Sequence, residues 1–120
     1  MAKKILVVDD DPVGSRLVQS RLLKEGYDVI VAHNGNLALA YLKSDNPAAV
    51  ILDIEMPEMN GYTFIIEMKK DEALKNTPVI VLTAHDENRA IFARRGINNY
   101  LVKPINFDDL LLKIAQLTGQ

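Results

Sequence analysis

Residues 48–52, Ala-Ala-Val-Ile-Leu, form an unbroken apolar run that ends in a lone carboxylate, Asp53. Loop chemistry follows at once, as Met56-Pro57 and then Asn60-Gly61. A run this short and apolar, bounded by Pro and Gly, predicts a strand buried on both faces. Burial on both faces is the condition of a central strand in a parallel sheet, which needs helices above and below it.

The rest of the chain supplies those layers. Residues 3–8, KKILVV, predict a first strand that runs into Asp9-Asp10-Asp11-Pro12. Asp11 suits an N-cap and Pro12 the first helical position. Val13, Leu17, Val18 and Leu22 then fall at helical spacing, and Gly26 stops the helix. Residues 27–32, YDVIVA, predict a second strand. Asn34-Gly35 is a turn signal, after which Leu37, Ala38, Tyr41 and Leu42 mark an amphipathic helix that ends at Asn46-Pro47. Beyond Gly61, Phe64, Ile65 and Met68 mark a third helix, and Pro78 opens a fourth strand over 79–83. Asp86 is a candidate cap for a short helix over 87–95, stopped by Gly96. Residues 98–102 predict a fifth strand, and Asn106 caps a last helix with Leu110, Ile114 and Leu117 on its buried face. Strand then helix, five times over with short connections, predicts an α/β domain with a parallel sheet between two helical layers, occupying residues 1–120 as one unit.

Composition excludes several classes of function. The net charge of −2 gives no basic footprint for direct contact with nucleic acid. No apolar run approaches a membrane span or the core of a signal peptide, so membrane insertion is not expected. With no cysteine there is no disulfide framework and no thiol chemistry. The cytoplasm is the expected location.

What remains unusual stands at the predicted strand ends. The first strand ends in Asp9 and Asp10, the third in Asp53, the fourth in Thr83 and the fifth in Lys103. In a parallel sheet these ends share one edge. Each feature has a bland reading alone: acids favour helix N-termini, and a lone Asp beside Pro and Gly forms turns. Together they gather three carboxylates, a hydroxyl and an ammonium. Clustered carboxylates repel one another, and a hard divalent cation such as Mg²⁺ relieves the repulsion. Asp53 is then a candidate nucleophile toward phosphorus, with Lys103 and Thr83 as donors for the phosphoryl oxygens.

The segments ILVVDDDP (5–12), ILDIEMPEMNG (51–61), VIVLTAH (79–85) and YLVKP (100–104), in this order and spacing, resemble the receiver domain of bacterial two-component response regulators. The resemblance covers essentially the whole chain. It implies a flavodoxin-like, doubly wound sheet of order 2-1-3-4-5 with five helices in three α/β/α layers. It implies that Asp53 is phosphorylated by a sensor histidine kinase or a histidine phosphotransfer protein. Asp10, Asp53 and the Glu55 carbonyl would ligate Mg²⁺ (or Mn²⁺) directly, and Asp9 through water. Lys103, the Ala84 backbone and the Thr83 hydroxyl would meet the phosphoryl group, with Tyr100 swinging inward behind Thr83. Pro57 and Gly61 shape the loop, and the Lys103–Pro104 peptide is expected to be cis. Glu55 and His85 occupy positions that tune phosphoryl lifetime in the family. The readout surface would be the fourth helix, fifth strand and fifth helix. There Arg89, Arg94 and Arg95 would stand opposite Asp108 and Asp109, with Ile105, Phe107 and Leu111 as an apolar patch. That surface would meet an effector protein or domain, or a second copy of the chain after phosphorylation. His33 has no evident partner and reads as surface.

The resemblance implies a phosphorylation-activated switch that catalyses only its own phosphorylation and slow autodephosphorylation. Two other readings remain open. A pseudo-receiver would bind partners without phosphorylation. A phosphohydrolase of the haloacid dehalogenase kind also uses an aspartate nucleophile and Mg²⁺, but places that aspartate after its first strand and carries a cap domain.

Overall fold

The computed structural model describes residues 2–54, 61–84, 89–94 and 96–119. Five parallel strands alternate with five helices. These are β1 (Lys4–Val8), α1 (Pro12–Lys24), β2 (Asp28–Ala32), α2 (Gly35–Asp45) and β3 (Ala49–Asp53). They continue as α3 (Gly61–Lys70), β4 (Val79–Thr83), α4 (Arg89–Arg94), β5 (Asn99–Val102) and α5 (Phe107–Thr118). The sheet order is β2-β1-β3-β4-β5, so β3 is central, and its five residues are all buried. No helix among the described residues is long and apolar enough to cross a membrane.

Side-chain alternation divides the core in two. Ile5, Val7, Ile51, Ile80 and Leu82 face one way and meet Val18 and Leu22 of α1 and Leu110 and Ile114 of α5. Leu6, Val8, Val50, Leu52 and Val81 face the other way and meet Leu42 of α2, Phe64 and Met68 of α3 and Phe92 of α4. The sheet therefore has α1 and α5 on one side and α2, α3 and α4 on the other. Continuous apolar runs in β1, β3 and β4 follow from this double burial.

Local signals explain where the helices begin and end. The Asp11 side chain accepts from the Val13 N–H at 3.0 Å, with Pro12 starting α1. Asn34 accepts from Leu37 N–H at 2.8 Å, and Asn106 from Asp109 N–H at 3.1 Å. Each supplies an acceptor to an amide that the first helical turn leaves unsatisfied. Asn46 closes α2 at φ 46°. Gly61 is required where it stands: a Cβ there would lie 2.6 Å from Ile54 Cγ2 and 2.8 Å from Ile54 Cα.

Three expectations change. Val13 and Leu17 share helical spacing with Val18 and Leu22 but are 69% and 59% exposed, because α1 buries the narrow stripe of Ser15, Val18 and Leu22. Leu37 is likewise exposed beside the buried Ala38 and Leu42. Finally, Ile105, Phe107 and Leu111 pack against the α1/α5 core rather than forming a patch on the α4 side. Asp108 belongs there too, since it pairs with Arg21 of α1 at 3.3 Å. The candidate cap Asp86 and the residues Glu55, Pro57, His85 and Arg95 lie outside the described residues.

Candidate functional site

Strand register builds the site. Val8 pairs with Leu52, which brings Asp9 level with Asp53 at the C-terminal edge. Asp53 pairs with Leu82, so Thr83 stands one residue beyond it. Thr83 pairs with Val102, and the Lys103 N–H donates to the Thr83 carbonyl at 2.8 Å. The edge is thus a staircase with Asp9 and Asp53 lowest and Lys103 highest. Lysine, with its long flexible stem, is the residue able to reach back down.

It does so. The Lys103 ammonium donates to Asp53 Oδ2 at 3.0 Å. Asp53 is 5% exposed and Asp9 7%, and by alternation both point to the α1/α5 side. They share a cavity of about 290 Å³ with Asp11, Gly14, Leu17, Val18, Leu82, Lys103, Pro104, Ile105 and Phe107. Gly14 keeps it open, because a Cβ there would come within 3.1 Å of both Asp9 Oδ2 and Asp11 Oδ2. The Lys103–Pro104 peptide is cis.

The electrostatics are those of an edge with too much negative charge. Burial pushes the Asp9 carboxyl up from 3.8 to about 6, and the neighbouring Asp53 charge adds to the rise. The Asp11 N–H, donating to Asp9 Oδ1 at 2.9 Å, and the Lys103 ammonium both oppose it. Among the described residues, one lysine thus faces two buried carboxylates. The donors on offer are all oxygen, hard and anionic, which is what Mg²⁺ prefers. Among the described residues no three acidic or histidine side chains close into a cage. Mg²⁺ in general keeps several waters and takes one or two carboxylates plus a substrate phosphate.

Not every residue expected at the site reaches this cavity. Asp10 is half-buried at the same edge but does not line it. Thr83, 1% exposed, follows Val79 and Val81 toward the other face of the sheet. Tyr100 is half-buried and packs against that same core. Ala84 is exposed at the end of β4. The acid–lysine group and the hydroxyl–aromatic pair therefore stand on opposite sides of the sheet. Glu55, Pro57 and His85 are outside the described residues. The sequence places His33 on the surface with no evident partner. It is exposed, but its Nδ1 lies 3.0 Å from the Asp9 carbonyl oxygen. Nothing in its local spacing signals a contact that joins the ends of two strands.

Known proteins share this fold. The chain is 36% identical over 120 residues to the response regulator PleD of Caulobacter vibrioides, covering 98% of this chain and 26% of PleD. It thus spans about a quarter of that relative's length. It is 34% identical over 119 residues to the protein PilH of Pseudomonas aeruginosa, covering 97% of this chain and 98% of PilH. The crystal structure of the response regulator TrrA from Thermotoga maritima, in complex with Mg²⁺-BeF, superposes with a TM-score of 0.85 at 40% identity, covering 96% of this chain and 98% of TrrA. The family model of the response regulator receiver domain matches residues 5–115. With this fold and these strand ends, the chain belongs to the response regulator receiver domain family.

Proposed function

We propose that Asp53 accepts a phosphoryl group from a histidine kinase or a histidine phosphotransfer protein in a Mg²⁺-dependent reaction, and that residues 1–120 act as one switch unit in the cytoplasm. The observation that carries this reading is the buried Asp53 carboxylate with the Lys103 ammonium 3.0 Å from one of its oxygens. Burial strips the carboxylate of water, and the lysine holds it in place. An Asp53 oxygen attacks phosphorus as the P–N bond to the donor imidazole breaks, leaving an acyl phosphate. Lys103 then meets the charge on the phosphoryl oxygens. Asp9, Asp10, Asp53 and the Glu55 carbonyl are the groups that would hold the cation. When bound, it supplies positive charge against those same oxygens.

The exposed Leu17, with Ile105 and Phe107, lines the cavity and, together with the exposed Val13 of the same helix, offers the donor protein an apolar footing. Phosphorylation adds charge and acceptor oxygens at Asp53. The Thr83 hydroxyl, with the Ala84 backbone, turns toward them, Tyr100 moves into the vacated space, and the surface of α4, β5 and α5 changes for an effector or a second copy of the chain. This is a population shift, because the phosphoryl oxygens are present as acceptors for Thr83 in one state only. Autodephosphorylation is slow, at a rate set by Glu55 and His85. The decisive test is incubation with a small phosphodonor and Mg²⁺, read by intact mass. Wild type gains one phosphoryl adduct and Asp53→Ala gains none. An adduct on both removes Asp53 from its role, and an adduct on neither leaves a phosphorylation-independent interaction module.

A further inference from the structure

His33 stands one residue past β2, and its ring lies in a cleft of about 150 Å³ beside Pro12, Arg16 and Gln19 of α1 and Val31. Its Nδ1 is 3.0 Å from the Asp9 carbonyl oxygen. A carbonyl only accepts, so Nδ1 carries the proton and donates. The Asp9 N–H is given to the Ala32 carbonyl at 3.0 Å. Both main-chain polar groups of Asp9 are therefore tied to the end of β2. The Asp9 N–H bond continues the parallel ladder beyond Val8 and Ala32. The bond to the Asp9 carbonyl comes from a side chain, where the chain has already turned away for Asn34 to cap α2.

The Asp9 carbonyl and the Asp10 N–H belong to one planar peptide unit. Holding the carbonyl therefore fixes the plane from which Asp10 departs. Groups that orient the residues ligating a metal matter nearly as much as the ligands themselves.

We infer that His33 is a positioning residue for the acidic edge: its imidazole holds the Asp9–Asp10 peptide and, through it, aims the Asp10 carboxylate at the divalent cation. The inference rests on the metal reading proposed above. It depends on hydrogen-bond donation from one ring atom, so the side chain that reproduces that atom must reproduce the effect. In Asn, Nδ2 stands two bonds from Cβ, as Nδ1 does in His.

The test is calorimetric titration of Mg²⁺ into wild type, His33→Ala and His33→Asn, with amide NMR spectra of the metal-free proteins and thermal unfolding to confirm that all three fold. His33→Ala is expected to weaken Mg²⁺ affinity by about 10-fold, and His33→Asn to stay within about twofold of wild type. The Asp10 amide resonance should move in His33→Ala and not in His33→Asn. A His33→Ala protein that folds and binds Mg²⁺ as wild type does overturns the inference, and so does a His33→Asn protein as weak as His33→Ala. Wild type that takes up no Mg²⁺ removes the metal reading itself, and the inference with it.

Discussion

Replacing Asp9 with Asn should stabilise the fold at neutral pH. The carboxyl is buried, and burial together with the Asp53 charge raises it from 3.8 to about 6. A raised carboxyl holds its proton more tightly in the folded state than in the unfolded one. Folding is therefore unpenalised while both states are protonated, below about pH 4. It loses stability as the pH rises from there toward 6, and the full cost is present by pH 7. A displacement from 3.8 to about 6 corresponds to roughly 3 kcal/mol. Asn does not ionise and removes that cost, but it is a weaker acceptor for the Asp11 N–H now bonded at 2.9 Å. The expected net gain at pH 7 is about 1–3 kcal/mol, or roughly 4 °C in Tm for each kcal/mol. The assay is urea unfolding followed by circular dichroism from pH 4 to 8, without divalent cations. The gain should vanish near pH 4 and grow to a plateau above pH 6. Equal stability at pH 7, or a gain of the same size at every pH, would refute the argument. Addition of Mg²⁺ at about ten times its Kd should then stabilise wild type by about 1.4 kcal/mol and Asp9→Asn by less. The ionised acid would thus be kept at a cost in stability for the sake of its ligand.

Other substitutions probe separate parts of the structure. Gly61→Ala would drive a Cβ to 2.6 Å from Ile54 Cγ2 and against Ile54 main chain, so a loss of about 2–3 kcal/mol in urea unfolding is expected. Asn106→Ala removes the acceptor at 3.1 Å from the Asp109 N–H and should cost about 1 kcal/mol, seen as a lower urea midpoint with an unchanged slope. Lys103→Ala leaves the Asp53 carboxylate without its ammonium partner at 3.0 Å, and phosphorylation by a small phosphodonor should slow by about 100-fold in an intact-mass time course. Decay of the acyl phosphate, measured in Glu55→Asn and His85→Ala, should differ from wild type in both; unchanged rates would remove both residues from control of the lifetime.

Much of the fold was legible because its signals are local. Asn106 announces α5 three residues ahead of the amide it caps, and the run 49–52 can hardly be other than a buried strand. The strand-end residues were legible as a set, because a parallel sheet brings its C-terminal ends to one edge whatever its strand order. The exposure of Val13 and Leu17 was not legible. Helical spacing shows that apolar residues line up, but which of two neighbouring stripes meets the sheet depends on how the helix lies across it. The division between Asp53 and Thr83 was hidden in the same way, since it follows from counting alternation back along β3 and β4 once their pairing is known. His33 was out of reach for a different reason. Its bond to the Asp9 carbonyl spans 24 residues and exists only because β1 and β2 pair in one register.

That two-sided core bears on traffic around the molecule. Asp53, Lys103 and the exposed flank of α1 open on one side of the sheet, while Thr83, Tyr100 and α4 belong to the other. Under the proposed function, a protein delivering phosphate to Asp53 would approach from the α1/α5 side of the sheet, and a protein reading α4 from the other. The two footprints would then meet only along α5, with the five strands as the partition elsewhere.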